Sequence, residues 1–307
     1  MAIEFRCCNF RTAALRGLMN LLICTLGARA IYMRSEPGEP PEYCTMFNHM
    51  VKSGGSTIKG KLFGSSRMEG LPIPATCING PGSEQACMDA LHNSPVAVGY
   101  VEMLRQVNNT SIERECEFFT VMRHPIDRLI SAFFYCPTDH DIQERPRKFC
   151  GYAEDEGPAT QRLVEFARDF WRNKAFRQMS FGLYCPPAAF CEQAVPGAQL
   201  AVTEPGGWDL LQQIQAIMGT YTAIGFLEHW ELSMRLFDAK VKSPVRDWEN
   251  IQISNSGTMS ELRDSVYRWA HMSPEIHNIL ATDMLLYDYA LSVFKLQTAA
   301  TLGTVWE

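Results

Sequence analysis

The sequence has no uninterrupted apolar run of the ~18–20 residues that a membrane-spanning helix requires. It has no excess of positive charge either, because 28 Lys and Arg stand against 34 Asp and Glu and leave a formal net charge of −6. A protein that binds nucleic acid over its whole surface should be basic, so that function is disfavoured. None of the 11 cysteines forms a CxxC pair, which argues against a zinc ribbon. Hydrophobic residues make up 46% of the chain, enough for a full core, so wholesale disorder is excluded.

The first 35 residues differ from the rest and are expected to be a signal peptide or a short signal anchor. Three arginines precede an uncharged stretch over 17–28, which Arg29 closes. A basic flank before a short apolar core is typical of secretory signals, and Ala28-Arg29-Ala30 offers a small-x-small cleavage pattern. An amphipathic first helix or an organellar transit peptide is the alternative interpretation.

The cysteines beyond this leader favour an oxidising compartment. There are eight of them, an even number: Cys44, Cys77, Cys87, Cys116, Cys136, Cys150, Cys185 and Cys191. Their connectivity stays open, although three close pairs are suited to closing loops: Cys77/Cys87, Cys136/Cys150 and Cys185/Cys191. Overlapping N-glycosylation sequons begin at Asn108 and Asn109, as in a lumenal glycoprotein.

The rest of the chain is organised as one domain over 43–296, after a linker at 36–42 rich in Pro and Glu and before a C-terminal tail at 297–307. Residues 66–84 have the composition of a loop. Helical patterns alternate with four predicted strands, at 43–50, 96–101, 117–122 and 221–226. This alternation predicts an α/β fold with a central parallel β-sheet flanked by helices.

Two helix starts can be read from the sequence near the C terminus. Thr258 and Glu261 have the spacing of a capping box, and Ser273-Pro274 is expected to open the final long helix. Asp283 falls on the apolar stripe of that helix, so its carboxylate should point inward. We expect it to bond backbone N–H groups or an arginine and to tie the helix to the sheet.

The first segment with chemical content is 48–57. A strand end, a turn on Gly54 and Gly55 and a helix start follow one another, which aims backbone N–H groups and the positive helix end at one point. Lys52 adds a charge, and hydroxyl donors come from Ser53, Ser56 and Thr57. The segment suits a phosphate or sulfate; a plain strand–helix turn with incidental polar residues is an equal alternative.

The same region contains a GxxxxGK pattern from Gly55 to Lys61. Leu62 stands where a nucleotide-binding P-loop needs Ser or Thr for magnesium, and Gly60-Lys61 falls inside the predicted helix. A P-loop-type kinase is therefore only an alternative.

The second segment with chemical content is 118–133. The strand delivers Arg123 to the carboxyl edge of the sheet, Pro125 opens a helix, and Ser131 on that helix can face the same crevice. An arginine and a hydroxyl together suit a phosphate monoester. A surface arginine with a packing serine is the alternative.

Together the two segments resemble the cofactor signatures of sulfotransferases that use 3′-phosphoadenosine 5′-phosphosulfate (PAPS), in particular the Golgi carbohydrate enzymes of the heparan sulfate and uronyl 2-O-sulfotransferase-like branch. Their 5′-phosphosulfate loop, usually H-x-P-K-[TS]-[GA]-[GS]-T, is matched at His49 and over 52–57, while Val51 replaces the proline. Their 3′-phosphate motif, R-[DH]-P-x-x-R-x-x-S, is matched at Arg123, His124, Pro125, Arg128 and Ser131. Weaker similarities at 221–228 and 283–287 extend the resemblance to about residues 43–295.

The resemblance implies a P-loop-like sulfotransferase fold and an enzyme that moves the sulfuryl group of PAPS to a carbohydrate hydroxyl by in-line displacement, without a metal. It implies the cofactor contacts Lys52, Ser53, Gly54, Gly55, Ser56, Thr57, Arg123 and Ser131. It also implies a glycan or glycoprotein acceptor and no nucleic acid. The expected location is the Golgi lumen, as a secretory-pathway protein or with a single-pass type II anchor formed by the N-terminal segment. A non-catalytic lumenal binding protein that keeps the fold is a further hypothesis.

A general base must take the proton of the acceptor hydroxyl. His92 is the first candidate, because it lies between the two motifs, its ordinary pKa is ~6.5, and uronyl 2-O-sulfotransferases are similar in placing a histidine base there. Glu84 and Glu102 are substitutes, since other glycan sulfotransferases use a glutamate. A loop histidine without a role is an equal alternative for His92. His49 is expected to support the first loop, and His124 to cap the helix that follows it.

Overall fold

A computed structural model describes residues 44–68, 70, 74–77, 94–99, 116–135, 147–180, 207–245, 247–251, 253 and 260–306. Several sequence-based predictions lie outside these residues. They are the leader at 1–35, the linker at 36–42, the candidate bases Glu84, His92 and Glu102, and the sequons at Asn108 and Asn109.

One parallel sheet carries the described part of the domain. Its strands are β1 (Cys44–Asn48), β2 (Ala75–Cys77), β3 (Val96–Gly99), β4 (Cys116–Met122) and β5 (Tyr221–Phe226), in the spatial order β2-β3-β1-β4-β5. The predicted α/β class and parallel sheet are confirmed. Strand β2 falls in the segment that we interpreted as loop; with three residues it is too short to show a pattern in the sequence.

The strand order reverses at β1, where β3 and β2 lie on one side and β4 and β5 on the other. Both neighbours pair with β1 in parallel, so β1 is central, and all five of its residues are buried. Burial on both faces explains its apolar run: Phe47 lies opposite Phe119 of β4, with ring centroids 5.0 Å apart. In open parallel sheets, ligands bind outside the carboxyl ends of the strands at such a reversal.

The helices that flank the sheet begin and end as follows: α1 (Gly55–Met68), α2 (Pro125–Phe133), α3 (Ala159–Phe166), α4 (Lys174–Ser180), α5 (Gly207–Met218), α6 (Trp230–Lys240), α7 (Glu261–Met272), α8 (Pro274–Ile279) and α9 (Ala281–Leu302). Short 3₁₀ turns occur at Arg147–Phe149, Glu154–Glu156 and Trp248–Asn250, and a π-helical turn at Ala167–Trp171. Among the described helices, none combines the length and apolar character needed to cross a bilayer.

Two of the predicted helix starts differ in detail. Ser260 rather than Thr258 caps α7, since its hydroxyl accepts the backbone N–H of Arg263 at 3.2 Å. Ser273 caps the next helix as predicted, accepting from the N–H of Ile276 at 3.4 Å. That helix is not continuous, because α8 ends at Ile279 and α9 starts two residues later.

The C-terminal residues extend the domain beyond the expected boundary at 296. Helix α9 continues to Leu302. Trp306 then folds back, packing on Phe294 with centroids 5.8 Å apart and donating through Nε1 to Thr298 Oγ1 at 2.9 Å.

A disulfide joins the two central strands. Cys44 lies directly opposite Cys116 in the β1–β4 register, and their sulfurs are bonded across a sequence separation of 72. Cys77 and Cys150 each belong to a further disulfide. The sequence left the connectivity open, and the Cys44–Cys116 pair exists because strand pairing brings two distant residues face to face.

Candidate functional site

The two motifs meet at the carboxyl edge of the sheet. Strand β1 runs into the loop 49–54 and then α1, while β4 runs through Arg123 and His124 into α2. Because β1 and β4 are adjacent and parallel, both connections leave the sheet at the same edge. The two connections touch: Arg123 Nη1 donates to the carbonyl oxygen of Lys52 at 3.4 Å. Segments some 70 residues apart thus form one surface.

The loop after β1 contains two residues in a left-handed backbone conformation. Lys52 and Gly54 both have left-handed φ angles, 65° and 78°. For a lysine this conformation costs ~1 kcal/mol or more, and such strain concentrates at functional sites. Gly54 is further constrained by its neighbours, because a Cβ there would lie 2.9 Å from Leu227 Cδ1. A side chain at this position is therefore opposed by both conformation and space.

His49 supports this loop from one side. Its ring packs on Gly55 so closely that a Cβ there would lie 1.9 Å from His49 Cδ2, and it stacks on Phe47 with centroids 6.1 Å apart. Burial, with a smaller contribution from the charge of Lys59, lowers the pKa of His49 to about 4. The imidazole is therefore neutral near neutral pH, in keeping with the expected supporting role.

The polar side chains of the loop are not all on its surface. Ser56 is exposed and Thr57 half-buried at the start of α1, where the Thr57 N–H donates to the Gly54 carbonyl at 3.0 Å. Ser53 is fully buried, and its hydroxyl has no hydrogen-bond partner within the described part of the chain. The ammonium of Lys52 lies over the ring of Tyr135, 3.8 Å from its centroid. Ser56, Thr57 and Lys52 are thus the loop side chains positioned to meet a ligand.

Arg123 occupies a half-buried position with charges of both signs around it. Burial lowers its pKa, the carboxylates of Asp127 and Glu228 act in the opposite direction, and the nearby Arg263 reinforces the lowering. Ser131 lies two turns further along α2, half-buried. The Nε of Arg263 is buried and, among the described residues, lacks a partner. Two guanidinium groups near each other, one with an unused donor, suit a doubly charged anion.

The second arginine of the R-x-x-x-x-R pattern has a different position. Arg128 is fully buried; its Nε donates to the Val51 carbonyl at 2.8 Å, and its guanidinium bonds the side-chain oxygen of Gln178. Burial lowers its pKa to about 10, against the opposing effect of Asp283. Arg128 therefore holds the backbone of the Lys52 loop in place through Val51, and its buried guanidinium does not face a ligand.

Asp283 is buried as predicted and bonded to backbone N–H groups. Its two oxygens accept from Ala175 at 3.1 Å and from Phe176 at 2.9 Å, at the start of α4. The expected tie to the sheet is wrong, because the carboxylate connects α9 to α4. The sequence shows the inward orientation of position 283, whereas the partner depends on where α4 packs.

Glu228 is the residue of this edge that the sequence reasoning missed. It follows β5, and its Oε1 accepts the backbone N–H of His124 at 2.7 Å. Tyr287 of α9 hydrogen-bonds to Glu228; burial first, and this carboxylate second, raise the pKa of Tyr287. Glu228 thus links β5, the start of α2 and α9. The only available signal was the Glu that ends the 221–228 segment.

His124 is the N-cap residue of α2, as expected, but its side chain makes no capping hydrogen bond. Its ring instead stacks with His271, with centroids 5.3 Å apart, and packs edge-on against Tyr287. The Nδ1 atom is buried with no hydrogen-bond partner in the described residues.

A cavity of about 430 Å³ adjoins the Gly54 turn, lined by residues 227–232 and Arg235. Leu227 and Trp230 form its contact with the loop, since both lie within 3.4 Å of the position a Gly54 Cβ would take.

Gly60 and Lys61 lie inside α1, as predicted, so Lys61 does not follow a P-loop turn.

No protein-family profile and no curated protein matches the chain.

Proposed function

We propose that the protein is a sulfotransferase with a P-loop-like sulfotransferase fold, which moves the sulfuryl group of PAPS to a hydroxyl of a carbohydrate acceptor. One observation carries this proposal: Arg123 Nη1 lies 3.4 Å from the Lys52 carbonyl oxygen. An anion-binding turn and an arginine suited to a second anion therefore adjoin each other. PAPS carries a 5′-phosphosulfate and a 3′-phosphate on one adenosine, and this pair of sites matches that pair of groups.

On the 5′ side, Lys52 and the start of α1 meet the phosphosulfate. The backbone N–H groups of residues 54–56 and the positive helix end favour an anion there, and Ser56 and Thr57 add hydroxyl donors. Gly54 has no side chain that would obstruct the approach of the phosphosulfate to the backbone, whereas Gly55 makes room for the His49 ring. Lys52 exchanges its contact with the Tyr135 ring for the phosphate, which gains a charged hydrogen bond in place of a cation–π contact.

On the 3′ side, Arg123 and Ser131 hold the phosphate, and Arg263 supplies a second guanidinium. Asp127 and Glu228 orient Arg123 and favour its charged form despite its burial. A bound phosphate would also relieve the repulsion between the two arginines. The 430 Å³ cavity beside Gly54 offers room of the right order for the nucleoside.

The chemical step is in-line transfer between two oxygens, so positioning and charge stabilisation provide most of the catalysis. Negative charge grows on the 5′-phosphate as the bond to sulfur breaks, and Lys52 with the loop N–H groups stabilises it. The acceptor hydroxyl gives its proton to a base. His92 remains the first candidate for the base and Glu84 and Glu102 the substitutes, all three outside the described residues.

The lumenal location is part of the same proposal. The Cys44–Cys116 disulfide is typical of an oxidising compartment such as the Golgi lumen. A leader at 1–35 that is cleaved, or that anchors the chain as a type II membrane protein, would deliver the enzyme there.

The experiment is transfer of radiolabelled sulfate from PAPS across a panel of glycans, with the full chain and with Lys52→Ala and Lys61→Ala. We expect labelling of a glycan hydroxyl that needs no magnesium, loss of labelling in Lys52→Ala, and near-normal labelling in Lys61→Ala. Transfer of radiolabelled phosphate from ATP, in the presence of magnesium and dependent on Lys61, would instead identify a P-loop kinase. Binding of adenosine 3′,5′-bisphosphate without turnover on any glycan would identify a binding protein.

A further inference from the structure

We propose that His124, Asp127 and His271 form a binding site for one divalent transition-metal ion of the zinc class. Each residue offers a ligand atom, and these atoms all lie within 4.8 Å of one another. His124 and Asp127 are three residues apart at the start of α2, and His271 comes from the last turn of α7. The site shares Asp127 with the surroundings of Arg123, but the inference does not rest on the sulfotransferase proposal and goes beyond it.

The side chains are already held together. His271 Nε2 lies 2.7 Å from Asp127 Oδ1, and the His271 ring stacks on that of His124. Tyr267 hydrogen-bonds to the Asp127 carboxylate, which fixes its orientation. His277 Nε2 contacts the His271 backbone oxygen at 2.9 Å. Such outer contacts are typical of metal sites, where they orient the ligands.

His124 has a polar atom that the protein leaves unused. Its Nδ1 is buried, and no described residue hydrogen-bonds to it. A buried polar atom without a partner costs ~1–3 kcal/mol. A metal ion bound through Nδ1 would satisfy this atom.

The donor set fits an ion of the zinc class. The carboxylates of Asp127, Glu228 and Asp288 act on His124, and Asp127 and Glu228 act on Arg123 as well. Two imidazole nitrogens and one carboxylate oxygen form a donor set suited to zinc, whereas calcium and magnesium prefer oxygen alone. The ion would replace the proton between His271 and Asp127, with ligand distances of ~2.0–2.2 Å after small side-chain rotations. A fourth position stays open for water or an anion.

Metal binding would have a mechanical consequence, since it cross-links α2 to α7. Arg123 directly precedes His124, and Arg263 lies on α7. Occupancy would therefore fix the two arginines relative to each other.

The test uses the full chain, stripped with a chelator and titrated with Co²⁺ and then Zn²⁺. We expect intense visible absorption of a low-coordinate Co²⁺ at one equivalent, displaced by Zn²⁺ and unaffected by excess Mg²⁺. His271→Gln and Asp127→Asn should each weaken Zn²⁺ binding by roughly 10- to 100-fold or more. His229→Gln, which changes a histidine that packs on Phe294 and Trp306, is the control and should bind Zn²⁺ like the wild type.

Absence of that absorption in the wild-type chain would overturn the proposal, whatever the variants do. Equal Zn²⁺ affinity in the wild type and in folded His271→Gln would overturn it too, since the ion would then bind elsewhere. Circular dichroism establishes folding, and Asp127→Asn gives a second answer if His271→Gln does not fold.

Discussion

Arg128 donates through its Nε to the carbonyl oxygen of Val51 at 2.8 Å, from a fully buried position on α2. This bond places a helix that follows β4 beneath the loop that follows β1. The loop contains Lys52, so the conformation of the first motif depends on the helix of the second motif. Substitutions can therefore distinguish residues that contact the ligand from residues that hold the loop in place.

In the proposed reaction, Lys52→Ala should reduce sulfate transfer by ~10²–10³-fold, because one preorganised positive charge beside the leaving group is lost. Its melting temperature should stay close to that of the wild type, because alanine adopts the left-handed φ of position 52 no more readily than lysine does. Steady-state kinetics and thermal unfolding measure the two effects. Lys61→Ala, inside α1, is the control; near-normal turnover in Lys52→Ala would refute its role at the leaving group.

Arg123→Ala should weaken binding of adenosine 3′,5′-bisphosphate far more than binding of adenosine 5′-monophosphate. In our proposal the arginine contacts only the 3′-phosphate, and a charged hydrogen bond contributes ~1.5–3 kcal/mol. Calorimetry with both nucleotides gives the difference. Arg168→Ala, which removes an exposed arginine paired with Glu275, should change neither affinity. Equal losses for the two nucleotides would show that Arg123 is structural.

Asp283→Ala should lower the melting temperature without changing nucleotide affinity per folded molecule. The substitution leaves the N–H groups of Ala175 and Phe176 unpaired and removes the charge opposite Arg128, at a cost of ~1–3 kcal/mol or more in the free energy of unfolding. Denaturant titration measures it. Asp288→Ala on the same helix is exposed and serves as the control. An unchanged melting temperature would contradict the buried network.

His49 should make the free energy of unfolding depend on pH. Its pKa is about 4 in the folded protein against the ordinary 6.5. As the pH falls, His49 is therefore protonated in the unfolded chain at a higher pH than in the folded protein. Stability from His49 is therefore full above pH ~6.5 and falls as the pH decreases toward ~4, by at most about 3 kcal/mol. Urea titrations across this range measure the slope. The slope of the free energy of unfolding against pH should be smaller in His49→Gln and unchanged in His277→Gln. An identical slope in both variants would show that other groups cause it.

Replacing both Cys44 and Cys116 by alanine should lower the free energy of unfolding by about 4 kcal/mol. The chain-entropy model gives this magnitude for a cross-link that closes a loop of this length in the unfolded state. Urea titration without reductant compares the variant with the wild type. Equal stability would mean that the packing of β1 against β4 alone holds these strands.

The sequence by itself determined the features that depend on local order. Alternating strand and helix patterns predicted the parallel α/β sheet. Gly54, Gly55 and Pro125 showed where the chain passes from a strand to a helix, next to Lys52 and Arg123. Helical spacing showed that Asp283 points inward. These properties follow from backbone preferences and side-chain periodicity, which act between residues close in the chain.

Only the tertiary structure decided which distant residues meet. The Cys44–Cys116 bond depends on strand register, and the bond from Arg128 to Val51 depends on how α2 packs under the loop. His271 reaches Asp127 because α7 lies against α2. Each contact joins segments about 70 or more residues apart, and no local pattern specifies such a pairing. It is fixed by the burial of apolar faces, which selects one packing of the elements and brings their polar side chains together.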